Sequence, residues 1–466
     1  MDNKVTVQET TDRARPLPQP GYLWLSLLAM YLGWLALIPP FQVPDEPAHY
    51  FKATTLLLPD YVNGQYGHLS SASAEKLVKL SQFDKIVGNP SGKYDSALFF
   101  SIPLYPTAEP FFYASALPYT PLPYVGSGLA YQAAQAAGAT LQNAFYSMRL
   151  GGLLFVAVIL WFAYRNSPAV VLVLSPLMAV PMVVNQVIGI SADGYSLAVT
   201  VLFLAVVHGT VQGRSLSLMV LPWVVFAFMS VKPVYFPLLL LLPYALFKQG
   251  KGLKWAYRLA VVVSLLAGLG LQHFYLTHKT ANPASTMEAV FQPDKQFQYI
   301  LNHPLDYAGT LGRTWAINKE HYKASLFGNV GWLDTPASPR LMMAFQWFML
   351  LHLVFTAGYY LRDRRAVLNA TAGAVLVVLP SVLLVFTSMY VFWTPLWGDV
   401  IEGVQGRYFL PILMALAALP VIFANREGVV IASERMQLGY YLAMIFVMAL
   451  ALIYAVTQVY PRFYGA

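Results

Sequence analysis

Phe41-Gln42-Val43-Pro44-Asp45-Glu46-Pro47-Ala48-His49-Tyr50-Phe51-Lys52 follows directly on an apolar run at 22–40. That junction decides the fold class. The run is long enough to cross about 30 Å of hydrocarbon. The stretch after it puts two carboxylates, an imidazole and an amine into positions 45–52 of a chain with only 11% charged residues. Pro47 suits the first turn of a helix, where a missing N–H costs little. A helix starting here would have Asp45 as its cap, accepting backbone N–H groups and staying ionised. His49 and Lys52 then fall four and seven residues on, on the same face. The expectation is a carboxylate, an imidazole and an amine converging at a membrane surface.

Working outward, the composition agrees. Over 466 residues 58% are hydrophobic, and a soluble domain would carry about 25% charged residues. The chain reads as an all-α polytopic membrane protein. Residues 1–21 read as a short cytoplasmic tail: the segment is polar and Pro-rich, carries Arg13 and Arg15, and no small-residue cleavage site follows it. The absence of cysteine excludes disulfides, thiolate metal sites and Cys nucleophiles. The formal charge of +8 comes largely from Lys and Arg at the ends of apolar runs, so no soluble basic face for nucleic acid is present.

Orientation follows from the basic clusters. Arg165, Arg214, Lys248/Lys251/Lys254/Arg258, Arg362/Arg364/Arg365 and Arg426/Arg435 all fall on one side if the spans are 22–40, 144–164, 168–188, 194–212, 216–231, 233–247, 256–276, 340–361, 367–391, 407–424 and 437–458. That count of eleven, N-terminus inside and C-terminus outside, requires 117–138 to lie along the membrane surface; if it crosses instead, there are twelve spans with reversed parity. The expected units are 22–276, with seven spans and an exterior loop at 41–143; a second exterior loop at 277–339; and a four-span unit at 340–466.

The chemistry-bearing residues concentrate on the exterior side. In the first loop, 70–86 has Leu77, Leu80 and Phe83 spaced for one face of a short helix, and Asn89-Pro90-Ser91-Gly92 is a turn. The aromatic stretch 99–124, with Tyr105 and Tyr113, suits membrane anchoring and also stacking on a sugar ring. Asp193 sits in Ser191-Ala192-Asp193-Gly194, either a plain turn or a placed acid. Lys232, between two apolar runs, costs about 2.5–3.5 kcal/mol if it points into lipid, so it snorkels or meets an anion. Trp332 and Asp334 stand where the second loop re-enters the membrane, in a segment rich in glycine. Asp399, Glu402, Gln405 and Arg407 crowd the last exterior turn, followed by Tyr408. Arg407 presents a planar fork suited to phosphate, or pairs with Glu402. No zincin, nucleophile-elbow or P-loop motif occurs. This distribution suits an enzyme acting on a lipid-linked substrate whose head group is presented outside.

The segments PDEPAHYFKA, SADG, KPVYFPLLL, FGNVGWLDT and GVQGRYFLP, taken in order, resemble an uncharacterised family of bacterial integral membrane proteins carrying a domain of unknown function. That family is similar to the GT-C superfamily of polyprenyl-phosphate-sugar glycosyltransferases, with an acidic motif in the first exterior loop and a second such loop after a seven-span module. The resemblance implies inverting sugar transfer from a polyprenyl phosphate to an envelope glycan or other acceptor, on the periplasmic face of a bacterial inner membrane. Asp45 or Glu46 would be the base, with Asp45 preferred. Lys232 and Arg407 would hold the phosphate, His49 would orient the acid or touch phosphate, and Asp193 would either support those groups from behind or bind the acceptor. Lys52, Trp332, Asp334, Gln405 and Tyr408 complete the expected substrate contacts. Adjacent Asp45-Glu46 differs from the spaced acid pair that holds a metal in some superfamily members, so no metal or other cofactor is expected. The rivals are a transporter or flippase of lipid-linked glycans, a polymerase or ligase of them, and a scaffold.

Overall fold

The structure, a computed structural model, describes residues 20–56, 79–100, 116, 119–250, 254–277, 291–424 and 434–464. Among the described residues it is all-α apart from one hairpin of two-residue strands. The order begins with α1 (Pro20–Leu37), α2 (Glu46–Thr54), α3 (Phe83–Ile86), α4 (Ser96–Phe100), α5 (Val125–Ala136), α6 (Leu141–Asn166), α7 (Pro168–Met178) and α8 (Pro181–Ile188). It continues with α9 (Ala192–Val211), α10 (Ser215–Phe228), a 3₁₀ segment (Pro233–Leu240) running into α11 (Leu241–Lys248), and α12 (Trp255–Thr277). Then come α13 (Pro293–Asn302), α14 (Pro304–Phe327), the antiparallel pair β1 (Asn329–Val330) and β2 (Thr335–Pro336), and α15 (Pro339–Tyr360). The chain closes with α16 (Arg364–Gly373), α17 (Leu379–Trp393), α18 (Leu410–Ile422), α19 (Glu434–Tyr454) and α20 (Tyr460–Phe463); π-helical turns join α16 to α17 and α19 to α20.

Among the described residues six helices are long and apolar enough to cross a membrane: Leu141–Asn166, Ala192–Val211, Trp255–Tyr275, Pro339–Tyr360, Arg364–Trp393 and Met436–Phe463. Four shorter apolar helices, Trp24–Leu37, Ser215–Phe228, Pro233–Lys248 and Gly406–Ile422, accompany them. The expected span at 168–188 is not straight. It breaks between α7 and α8 with a bend of 98°, where Pro181 opens the second helix after Val180 in an extended conformation.

α9 is the central post. It is apolar on every face, nearly every residue in it is buried, and it packs on α6, α10 and α18. On the outside, α12, α15, α17 and α19 expose Leu266, Trp347, Leu351, Leu379 and Leu442, the apolar surface of a bundle solvated by lipid. α5 is a twelve-residue helix, about 18 Å long, too short to cross. It lies against α6 through glycines: a Cβ at Gly126 would come within 2.4 Å of the Gly151 carbonyl oxygen.

The two large loops meet at the end of the chain. Arg462 donates to the carbonyls of Ile86 (2.5 Å) and Gly92 (3.1 Å) and pairs with Asp334 at 2.8 Å. Tyr94 N donates to the Phe463 carbonyl at 2.9 Å. The turn at Asn89–Gly92 forms as expected, with Gly92 N on the Asn89 carbonyl at 2.9 Å. Of the amphipathic stretch 70–86 only the end is described, as α3, and Tyr105 and Tyr113 lie outside the described residues.

Candidate functional site

The site begins with the segment between α1 and α2. Phe41 and Asp45 both adopt left-handed conformations, φ 63° and 64°, which non-glycine residues hold only when surrounding contacts impose them. Trp332 Nε1 donates to the Phe41 carbonyl at 2.8 Å. Val43 packs against Gly189, where a Cβ would meet it at 2.7 Å.

Asp45 precedes α2, but it does not cap it: its side chain makes no hydrogen bond to the helix N-terminus. The left-handed backbone turns the carboxylate away to Arg407, whose Nη2 sits 2.5 Å from Oδ2. The capping expectation is therefore corrected. Arg407 also reaches Asp193 Oδ2 at 3.4 Å, Gln186 Oε1 at 3.4 Å and Gln405 Oε1 at 2.6 Å. The pairing of Arg407 with Glu402 considered from sequence gives way to these contacts. Lys232 Nζ lies 2.7 Å from Asp193 Oδ1 and 4.5 Å from the Tyr408 ring centre, so the lysine meets an anion, and that anion is Asp193. Asp193 is in the first turn of α9, where Ser191 Oγ accepts from Gly194 N; the SADG segment is a capped helix start.

Five parts of the chain thus converge: the α1–α2 segment, α8, the start of α9, Lys232, and the turn before α18. Arg407 is almost sealed, at 2% exposure, while the Asp45 side chain is 41% exposed, so the cluster has one open side, at Asp45. Burial opposes ionisation of Asp45, but the guanidinium of Arg407, with Lys232 behind it, holds its carboxyl below the usual range. His49 is buried, its Nδ1 2.6 Å from Tyr124 Oη, with Tyr119 edge-on at 5.2 Å. Burial lowers its pKa to about 4, so it is neutral at pH 7. Lys52, seven residues along, is buried near the Tyr275 ring at 5.7 Å, and burial lowers its pKa to about 7.

Glu46 goes elsewhere. It takes a two-point ion pair from Arg149, Nε to Oε1 at 2.8 Å and Nη2 to Oε2 at 2.7 Å, with both side chains fully buried. Ile190 N adds a third bond at 3.0 Å, and Arg149 also donates to the carbonyls of Ile38 (2.5 Å) and Pro39 (2.9 Å). Holding three hydrogen bonds and fully buried, Glu46 ties the loop to α6. Asp334 likewise serves Arg462 and Gly88 N (3.1 Å), and Trp332 serves Phe41. These two shape the site from behind.

Sequence reasoning missed Arg149, Gln186 and Arg462. Arg149 carried a signal, since an arginine inside an apolar run demands a buried partner. Gln186 carried none that separates it from other polar residues in an apolar helix.

Fold and site together define an α-helical, multi-pass membrane protein with a buried charge cluster at one end of its bundle. The chain belongs to the family described as Predicted membrane protein (DUF2142), whose profile matches residues 28–416. No curated protein and no solved structure matches it.

Proposed function

We propose that the protein is a GT-C-like glycosyltransferase of a bacterial inner membrane, using a polyprenyl-phosphate sugar on the periplasmic face with Asp45 as base. The observation that carries this reading is the pairing of the exposed Asp45 carboxylate with Arg407, backed by Asp193 and Lys232. Each of the eleven segments expected to cross coincides with a helix or with the bent pair, and the reading takes all of them as spanning.

While Arg407 holds Asp45, the carboxylate is a weak base. A lipid phosphate entering the open side competes for Arg407 and Lys232, both suited to it in charge and geometry. Losing the guanidinium raises the carboxyl pKa, so donor binding frees the base. Asp45 then takes the proton of the acceptor hydroxyl as that oxygen attacks the anomeric carbon from the opposite face. The bond from that carbon to phosphate oxygen breaks, and its electron pair stays on the phosphate beside Arg407 and Lys232.

The test is transfer from a labelled polyprenyl-phosphate hexose to envelope glycan by the protein in vesicles. Loss of transfer in Asp45→Asn and Arg407→Lys, with both variants folded, supports the reading. Full transfer by Asp45→Asn overturns it.

A second reading, translocation of a lipid-linked glycan, is favoured by one observation: the 98° break between α7 and α8. α8 ends beside the cluster, with Gln186 on Arg407 and the link to α9 bonded to Glu46, the arrangement of a discontinuous helix at a substrate site. Movement of a fluorescent lipid-linked glycan across vesicles without sugar transfer would select it.

A further inference from the structure

We infer that the hairpin of α13 and α14 rests in the bilayer leaflet at the charge cluster's end of the bundle, with Phe297, Leu301 and Leu305 as its lipid-facing stripe. These residues recur every fourth position through the end of α13 and the bend at His303, and they are 50%, 63% and 85% exposed. The opposite side of the hairpin is pinned to the rim of the bundle. Phe291 stacks on Trp393 with ring centres 6.0 Å apart, and Gln296 Oε1 accepts from Trp397 N at 2.8 Å. Trp393 ends the long apolar helix Arg364–Trp393, and Trp393 and Trp397 are themselves 46% and 62% exposed, as aromatics are at a membrane–water boundary.

The hairpin descends past that boundary. Tyr307, two residues after Leu305, bonds Thr387 Oγ1 at 2.8 Å and packs on Tyr390 at 5.2 Å. Thr387 lies one and a half turns before Trp393, about 9 Å further in at ~1.5 Å per residue. The stripe therefore lies between the levels of Trp397 and Thr387, directly above the exposed Leu383 and Leu384 of α17, whose lipid-facing surface it continues. In water such a stripe would be an exposed apolar patch. Inserted about 5–10 Å into the leaflet it is solvated by acyl chains. Its polar neighbours Lys295, His303 and Asp306 are exposed, and an interfacial position leaves them in reach of head groups and water.

The chain has no cysteine, so single labels report cleanly. Nitroxides on Phe297→Cys, Leu301→Cys and Leu305→Cys, with Lys319→Cys as the solvent reference, would be measured by power-saturation resonance in phosphatidylethanolamine–phosphatidylglycerol vesicles. The stripe labels should relax several-fold more with oxygen than with a water-soluble nickel chelate, and the Lys319 label the reverse. Equal preference for the chelate at all sites would overturn the inference, as would spin–spin broadening that reveals a second copy covering the stripe. A label that prevents insertion at one position leaves the other two to decide.

Discussion

The carboxyl of Asp45 keeps an open side against Arg407, while the next residue, Glu46, is sealed against Arg149. Removing the Glu46 charge strands a buried guanidinium, a loss of about 3–5 kcal/mol. Glu46→Gln should therefore lower the unfolding midpoint by many degrees in detergent, whereas Asp45→Asn should fold and fail only in transfer; equal midpoints for the two variants would contradict the assignment. The pH dependence reports on His49 and Asp45. His49 stays neutral down to about 4 because it is buried, whereas the unfolded chain binds a proton near 6.5. Its contribution is thus present above that pH and shrinks by about 3 kcal/mol as pH falls from 6.5 to 4. His49→Gln should flatten this part of the profile of unfolding midpoint against pH. Asp45 works in the same sense: Arg407 holds its pKa down despite burial, so its contribution too is lost as pH falls. In Arg407→Gln that pKa rises, and the acidic limb of any residual transfer moves to higher pH.

At the scale of the element, Arg407 depends on a close approach that its own helix does not make. Gly406 lies against α14: a Cβ there would sit 2.1 Å from the Tyr322 carbonyl oxygen and 2.4 Å from Leu326 N. Gly406 N also donates to Ser325 Oγ at 2.8 Å. Backbone cannot yield as a side chain end can, so Gly406→Ala must push the turn off α14 and carry Arg407 from Asp45. The expected result is a cost of about 1–3 kcal/mol with transfer reduced as far as in Arg407→Lys. α8 has a matching contact, since Gly189 admits Val43 and so sets where Asp45 stands. Neither closeness is legible in a sequence. A glycine before an arginine reads as a turn, and the helix it must fit lies some 80 positions away.

For the whole molecule, topology makes the decisive prediction. The C-terminal segment around Arg462 is bonded to residues of both large loops, so all three share one side of the bundle. Reporters fused after residue 138 and after residue 464 should both read exterior. A cytoplasmic reading after 138 would mean that 117–138 crosses, against the twelve-residue length of α5.

Apolar runs and the basic residues at their ends were enough to read a multi-pass helical bundle. Solvent preference and span length are local properties, written in composition. They also singled out Asp45, Asp193, Lys232 and Arg407, because charges beside membrane spans are costly and hence few. What a linear reading could not supply was pairing. Asp45 and Glu46 have the same local context, and only the arrival of α6 with Arg149 and of the turn with Arg407 gives one a sealed structural bond and the other an open face. The same holds for the 98° break before α9 and for the left-handed turn of Asp45 that sends its carboxylate away from its own helix. Each arises from contacts between segments far apart in the chain, and contact energy of that kind exists only once the chain has packed.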